Sequence, residues 1–192
     1  DDGKEHHLPP GFGSFPLRHI EDYDLGERSS LKARGGVIMP MFQADALWIN
    51  FNPLVEDYES VAYPIAVKIG TGKICAVSGN AWSDKLIKKN QNYIVVPDQP
   101  WLDGYNTRDG VVRQFIAALL GDGVTVEEQV TGSNDVGGIQ IQAYPLKRSA
   151  YDKLNNKANY VKDGVEICYS MSIEPESFMG LSAGGQMRQE IY

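Results

Sequence analysis

Ala62-Tyr-Pro-Ile-Ala-Val-Lys-Ile69, followed by Gly70-Thr-Gly72 and Lys73-Ile-Cys-Ala-Val-Ser78, is the stretch that decides the fold class. Two runs rich in β-branched residues flank a short glycine-bearing turn, and this pattern predicts a β-hairpin. Upstream, Val37-Ile-Met-Pro-Met-Phe42 and Asp45-Ala-Leu-Trp-Ile-Asn-Phe51 read as a strand pair or one strand bent at Pro40. Downstream, Asn92-Tyr-Ile-Val-Val-Pro97 is a further short strand. Val111 to Leu120 and Val124 to Thr131, around Gly121-Asp-Gly123, predict a second hairpin of the same form. Gly137-Gly138 opens Ile139-Gln-Ile-Gln-Ala-Tyr144, whose alternation puts Ile139, Ile141 and Ala143 on one face.

Helical signals are few. Ser149 to Lys162 reads as a helix or a loop, and Gln186 to Tyr192 as a short helix at most, because Gly180 and Gly184-Gly185 weaken what precedes it. The expectation is an α+β fold, predominantly antiparallel β, built as a sandwich or curled half-barrel with one or two short helices. Residues 1–36, dense in Pro and Gly from Leu8 to Pro16, read as an irregular N-terminal arm; residues 37–192 read as a single β-rich domain. Pro175 to Tyr192 carries six large apolar or aromatic side chains and is expected to be held by the fold.

Lys and Arg total 18 against 25 Asp and Glu, a net charge of −7, which disfavours sequence-independent binding to nucleic acid or anionic lipid. The longest apolar runs, such as Phe115 to Gly121, are about seven residues, against about 20 for a membrane-spanning helix. The reading is a soluble protein with no membrane span and no nucleic-acid partner, cytoplasmic rather than secreted, since the chain has no Asn-x-Ser/Thr sequon. Cys75 and Cys168 both lie in strand-like runs, the second in Val165-Glu-Ile-Cys-Tyr169. They read as buried free thiols, with a disulfide between them as the alternative. Two distant cysteines lack metal-ligand spacing, so no metal and no cofactor is implied.

The densest polar constellation is Asp98-Gln-Pro-Trp-Leu-Asp-Gly-Tyr-Asn106. One reading is a polar ligand gripped by Asp98, Gln99, Asp103 and Asn106 with Trp101 as a stacking surface; the other is a structured loop with Trp101 plugging the core. Gln43, Asp45, Arg113, Gln114, Glu127, Glu128, Gln129, Gln140 and Gln142 alternate along strands and mark the solvent face, unless a curled sheet turns that face into a lumen. His6, His7 and His19 are the only histidines, so a nucleophile–histidine triad would have to recruit from the arm.

The segments Gly35-Gly-Val-Ile-Met-Pro-Met-Phe-Gln-Ala-Asp-Ala-Leu-Trp48, Gln99-Pro-Trp-Leu-Asp-Gly104, Val112-Arg-Gln-Phe115 and Gly180-Leu-Ser-Ala-Gly-Gly-Gln-Met-Arg-Gln-Glu-Ile-Tyr192 resemble an uncharacterised bacterial and fungal family sometimes labelled integral membrane proteins. The resemblance spans residues from about 11 to 192, implies a chain that continues past Tyr192, and brings no activity or catalytic residue with it.

Three functional readings follow. The favoured one is a non-catalytic binding domain for a small polar ligand of saccharide type, with Trp48, Trp82 and Trp101 as platforms and the Asp98–Asn106 polar groups as contacts. The alternative is a carboxylate-dependent hydrolase or lyase, with Asp103 and Glu127 or Glu128 as acid and base and Arg113 steadying negative charge. A structural or protein-interaction domain, self-associating or joined to a missing C-terminal segment, is the third possibility.

Overall fold

The computed structural model describes residues 11, 13–24, 26, 29–51, 63–99, 101–107 and 111–158. In chain order the strands are β1 (Arg18–His19), β2 (Val37–Ile38), β3 (Ala46–Leu47), β4 (Ile49–Asn50), β5 (Ile65–Thr71), β6 (Ile74–Cys75), β7 (Ile94–Val96), β8 (Trp101–Leu102), β9 (Gly104–Asn106), β10 (Val112–Ile116) and β11 (Ile139–Pro145). The helices are α1 (Ser29–Arg34), α2 (Val126–Thr131) and α3 (Arg148–Ala158), with a 3-10 turn at Ile20–Asp22. The fold is α+β and dominated by antiparallel pairing, and among the described residues the sheets do not close into a barrel.

β5 is the organising strand. One edge pairs with β11 along its full length, from Ile139↔Thr71 to Pro145↔Ile65. The other edge is shared, with β7 against Ile65–Val67 and β6 against Gly70–Thr71. Its faces are covered as well: Lys68 and Ile69, which point to opposite sides, are both fully buried. The predicted hairpin is therefore present, but its turn is Gly72-Lys73, two residues between Thr71↔Ile74. Gly72 takes φ +59°, the region where a side chain is strained.

A second group of strands is a forked ribbon. β3 and β4 are two halves of one extended stretch; β3 pairs with β10 and β4 with β8. β8 and β9 flank Asp103, and β9 returns to pair with β10. Val67, Ile69, Ile94 and Val96 from the β5 sheet meet Leu102 and Phe115 from the ribbon, with Cys75, Ala76 and Val77 between and Leu47, Ile49 and Tyr105 packed against them. Each fully buried branched side chain here contributes about 1.5–3 kcal/mol. Cys75 is buried and its thiol donates to the Asn92 carbonyl (3.4 Å); Cys168 lies outside the described residues.

Four expectations are corrected. The second hairpin does not form: Val126–Thr131 is helix α2. Thr125 accepts the Glu128 N–H on its hydroxyl (3.3 Å) while Glu128 accepts the Thr125 N–H (3.2 Å), a capping box that outweighs the β-branched character of the run. Val37–Ile38 does not pair with the stretch after it; β2 pairs with β1 in the arm, and the chain turns at Phe42–Asp45, where Asp45 accepts the Phe42 N–H (2.8 Å). The helix expected near 149–162 is present as α3, but α1 and α2 were not expected, so the described residues hold three helices where one or two were predicted. On β11, the amides Gln140 and Gln142 are half-buried while Ile141 is 56% exposed, the reverse of a polar solvent face. Pro175 to Tyr192 lies outside the described residues.

Candidate functional site

The ribbon carries the largest share of the predicted ligand contacts. Ile49 pairs with Leu102 and Asn50 with Trp101. Leu47, Ile49 and Leu102 face the core, so alternation puts Trp48, Asn50 and Trp101 on the opposite face. Trp48 is 37% exposed, whereas Trp101 is 3% exposed and its indole N–H has no partner among the described residues.

Asp103 follows at the break between β8 and β9. Its carbonyl accepts the Phe115 N–H (2.8 Å), which fixes the backbone. The side chain is 2% exposed and Oδ1 has no hydrogen-bond partner among the described residues. Burial raises its pKa from 3.8 to about 6, and a bond to its own backbone offsets this only in part. A carboxyl with such a pKa changes protonation near neutrality.

The neighbours of this pair are tied to backbone. Gln99 donates from Nε2 to the Trp101 carbonyl (3.3 Å), and its own N–H donates to Val95 (2.8 Å). Asn106 joins the ribbon to the other sheet, its N–H donating to Ala76 (2.7 Å) and its Nδ2 to Val77 (3.3 Å), while Oδ1 is unpartnered. Asp98 is exposed in the turn before β8. Arg113 is exposed and pairs across the ladder with Tyr105, whose phenol pKa is raised by burial and only partly pulled back by that guanidinium.

The remaining candidates sit elsewhere. Trp82 lies against β5, with its N–H donating to Asp84 Oδ1 (3.1 Å) and Lys68 Nζ 4.6 Å from its ring centroid. A Cβ at position 70 would come within 2.8 Å of that ring, so Gly70 is what lets the indole lie on the strand. Glu127 is 1% exposed and accepts the N–H groups of Val136 (3.1 Å) and Gly137 (2.6 Å). Glu128 accepts the Thr125 hydroxyl (2.7 Å) and the Gly121 N–H (2.7 Å), and these bonds, the hydroxyl first, hold its pKa low. Neither glutamate shares a hydrogen-bond partner with Asp103. The structure thus brings Trp48, Trp101 and Asp103 onto one ribbon, with Gln99 beside them, and leaves Trp82, Glu127 and Glu128 in separate supporting roles.

Lys68 was not among the expected residues. Its ammonium is buried against Trp82 and donates to the Lys85 carbonyl (3.2 Å), which also accepts Asn92 Nδ2 (2.9 Å). A lysine in mid-strand reads as solvent-facing, and nothing local to it signals that residues 82–92 cross over it. Among the described residues no group of three His, Cys, Asp or Glu could hold a metal ion, and no helix is long and apolar enough to cross a membrane. No protein-family model matches the chain, and comparison with curated proteins and with solved structures also returns no match.

Proposed function

We propose that the domain is a non-catalytic binding module for a small polar ligand of saccharide type, contacted on the outer face of the β4–β8 ribbon. The observation that carries this reading is the pairing on one face of a part-exposed indole, Trp48, with a buried indole whose N–H is unpartnered, Trp101. A flat aromatic surface stacks on the apolar face of a sugar ring, and a free N–H donor and a carboxylate acceptor match its hydroxyls. Asp103, two residues on and on the same face, would supply that acceptor once a ligand displaces what covers its buried Oδ1. Trp82 is assigned to packing because its ring and its N–H are both engaged.

The hydrolase or lyase alternative draws on one observation, the pKa of Asp103 near 6, which suits a general acid. Among the described residues the two glutamates considered as its partner, Glu127 and Glu128, are held by backbone and Thr125 donors instead. The test is a glycan array followed by tryptophan-fluorescence titration of any hit. Binding that Trp48→Ala abolishes supports the module. An array without a binder removes it, and turnover of a hit that Asp103→Asn stops replaces it with the enzyme.

A further inference from the structure

The ribbon holds a buried negative charge that the described residues do not balance. Asp103 is almost wholly buried, and its Oδ1 meets no donor among them. Its pKa, raised by burial to about 6, still lies below neutrality, so at about pH 7 the group is mainly a carboxylate. Buried carboxylates are ordinarily paired with a cation or held by several donors. Glu127 is of the second kind, with two backbone N–H groups on it. Asp103 is of neither kind. Among the described residues no charged group acts on it: burial raises its pKa and its own backbone lowers it. Arg113, across the ladder on β10, is exposed and acts on Tyr105. The ion pairs Lys73–Asp135 and Arg148–Asp152 involve other segments.

The indoles add a second observation. Trp101 lies two residues before Asp103, and Trp48 shares its face of the ribbon. The face of an indole attracts cations. Indole surfaces beside an unbalanced carboxylate suit an ammonium group, whereas a neutral hydroxyl uses only part of what they offer. The chain as a whole, with a net charge of −7, also draws cations toward it.

We propose that the ligand of this site is an amino sugar, its protonated amine seated against Asp103 and its ring stacked on Trp48. The proposal rests on the binding-module reading and narrows its ligand class. The ammonium donates to Oδ1 and turns an isolated buried charge into a charge-assisted pair. The Trp101 N–H is left for a ring hydroxyl. Oδ1 and the Trp101 ring are both covered, so seating the ligand displaces what covers them. A charge pair offsets that displacement better than a neutral hydrogen bond does.

The experiment is tryptophan-fluorescence titration of the full chain at about pH 6.5, where the amine is protonated and Asp103 is mostly ionised. The probes are the methyl β-glycosides of glucosamine, N-acetylglucosamine and glucose, which differ only at the second ring carbon, and ethanolamine, an amine without the ring. The glucosaminide should bind about tenfold or more tightly than each of the others. Asp103→Asn keeps an acceptor oxygen and loses the charge, so it should bring the glucosaminide down to the affinity of the glucoside. Trp48→Ala leaves the carboxyl in place and should weaken all the glycosides alike.

Equal affinities for the glycosides, or tighter binding of an uncharged one, overturn the amino sugar and leave the binding module standing. Ethanolamine binding as tightly as the glucosaminide overturns it in favour of a simple amine. A preference that survives Asp103→Asn overturns it as well, because it then comes from the net negative charge of the chain. If no probe binds, the proposal fails, and the glycan array decides the module separately.

Discussion

Glu127 and Asp103 are equally buried carboxyl groups in two regions of the molecule, and their surroundings are opposite. At the corner between α2 and the start of β11, Glu127 meets two backbone N–H groups and fills the space above the Gly72 turn, where a Cβ would lie 2.5 Å from Oε2. At the break between β8 and β9, Asp103 keeps one oxygen without a partner among the described residues, and burial pushes its pKa up to about 6. Burial alone does not decide what a carboxyl does. The donors present before the side chain arrives decide it: two N–H groups from one turn make Glu127 a clamp, and their absence leaves Asp103 with unmet capacity.

The largest expected effect tests the clamp. Glu127→Ala strands two N–H groups and opens a cavity at the hairpin turn, so urea denaturation should show a loss of about 3 kcal/mol. A loss below about 1 kcal/mol would mean that water or a shifted loop replaces the carboxylate, and the contrast with Asp103 would collapse.

Next comes the pH dependence of Asp103. Its folded pKa lies above the 3.8 of the unfolded chain, so the folded state holds the proton more tightly. Stability from this group is full below about pH 4 and declines as pH rises to about 6, by about 1–3 kcal/mol after allowing for solvent screening. Asp103→Asn should remove that slope and stabilise the protein at pH 7, as read by denaturation at several pH values. A variant less stable than the parent at pH 7 would show that the ionised form has a partner after all.

A smaller effect concerns the helix that presents the clamp. Thr125→Ala breaks the capping box and should cost about 1 kcal/mol. Combined with Glu127→Ala the loss should fall short of the sum, because a frayed α2 already misplaces Glu127. Additive losses would show that the loop holds Glu127 without the helix. Trp48→Ala should have the smallest effect on stability, under about 1 kcal/mol, since the indole is part-exposed and faces away from the core.

The strands around β5 were legible because β-branched runs bounded by glycine have few other ways to fold. Helix α2 reads as a strand because Val124, Val126 and Val130 suggest one; the Thr125–Glu128 spacing is the signal that points to the helix. For the candidate site, the Asp98–Asn106 stretch was identifiable by its composition. Its division into an exposed Asp98, a backbone-bound Gln99 and a buried Trp101 and Asp103 was not, because it depends on which faces of β8 the other strands cover.

By itself the sequence determined the antiparallel β character, the hairpin after Ile65 and the positions of the polar constellation, all of which follow from residue types within a few positions of one another. Only the tertiary structure decided that Lys68 is buried, that the amide side of β11 is half-covered while Ile141 is exposed, and that Glu127 is bound where Asp103 is not. Burial and hydrogen-bond partners depend on residues such as Trp82, Val136 and Gly137 that arrive from distant positions, and local pattern carries no record of them.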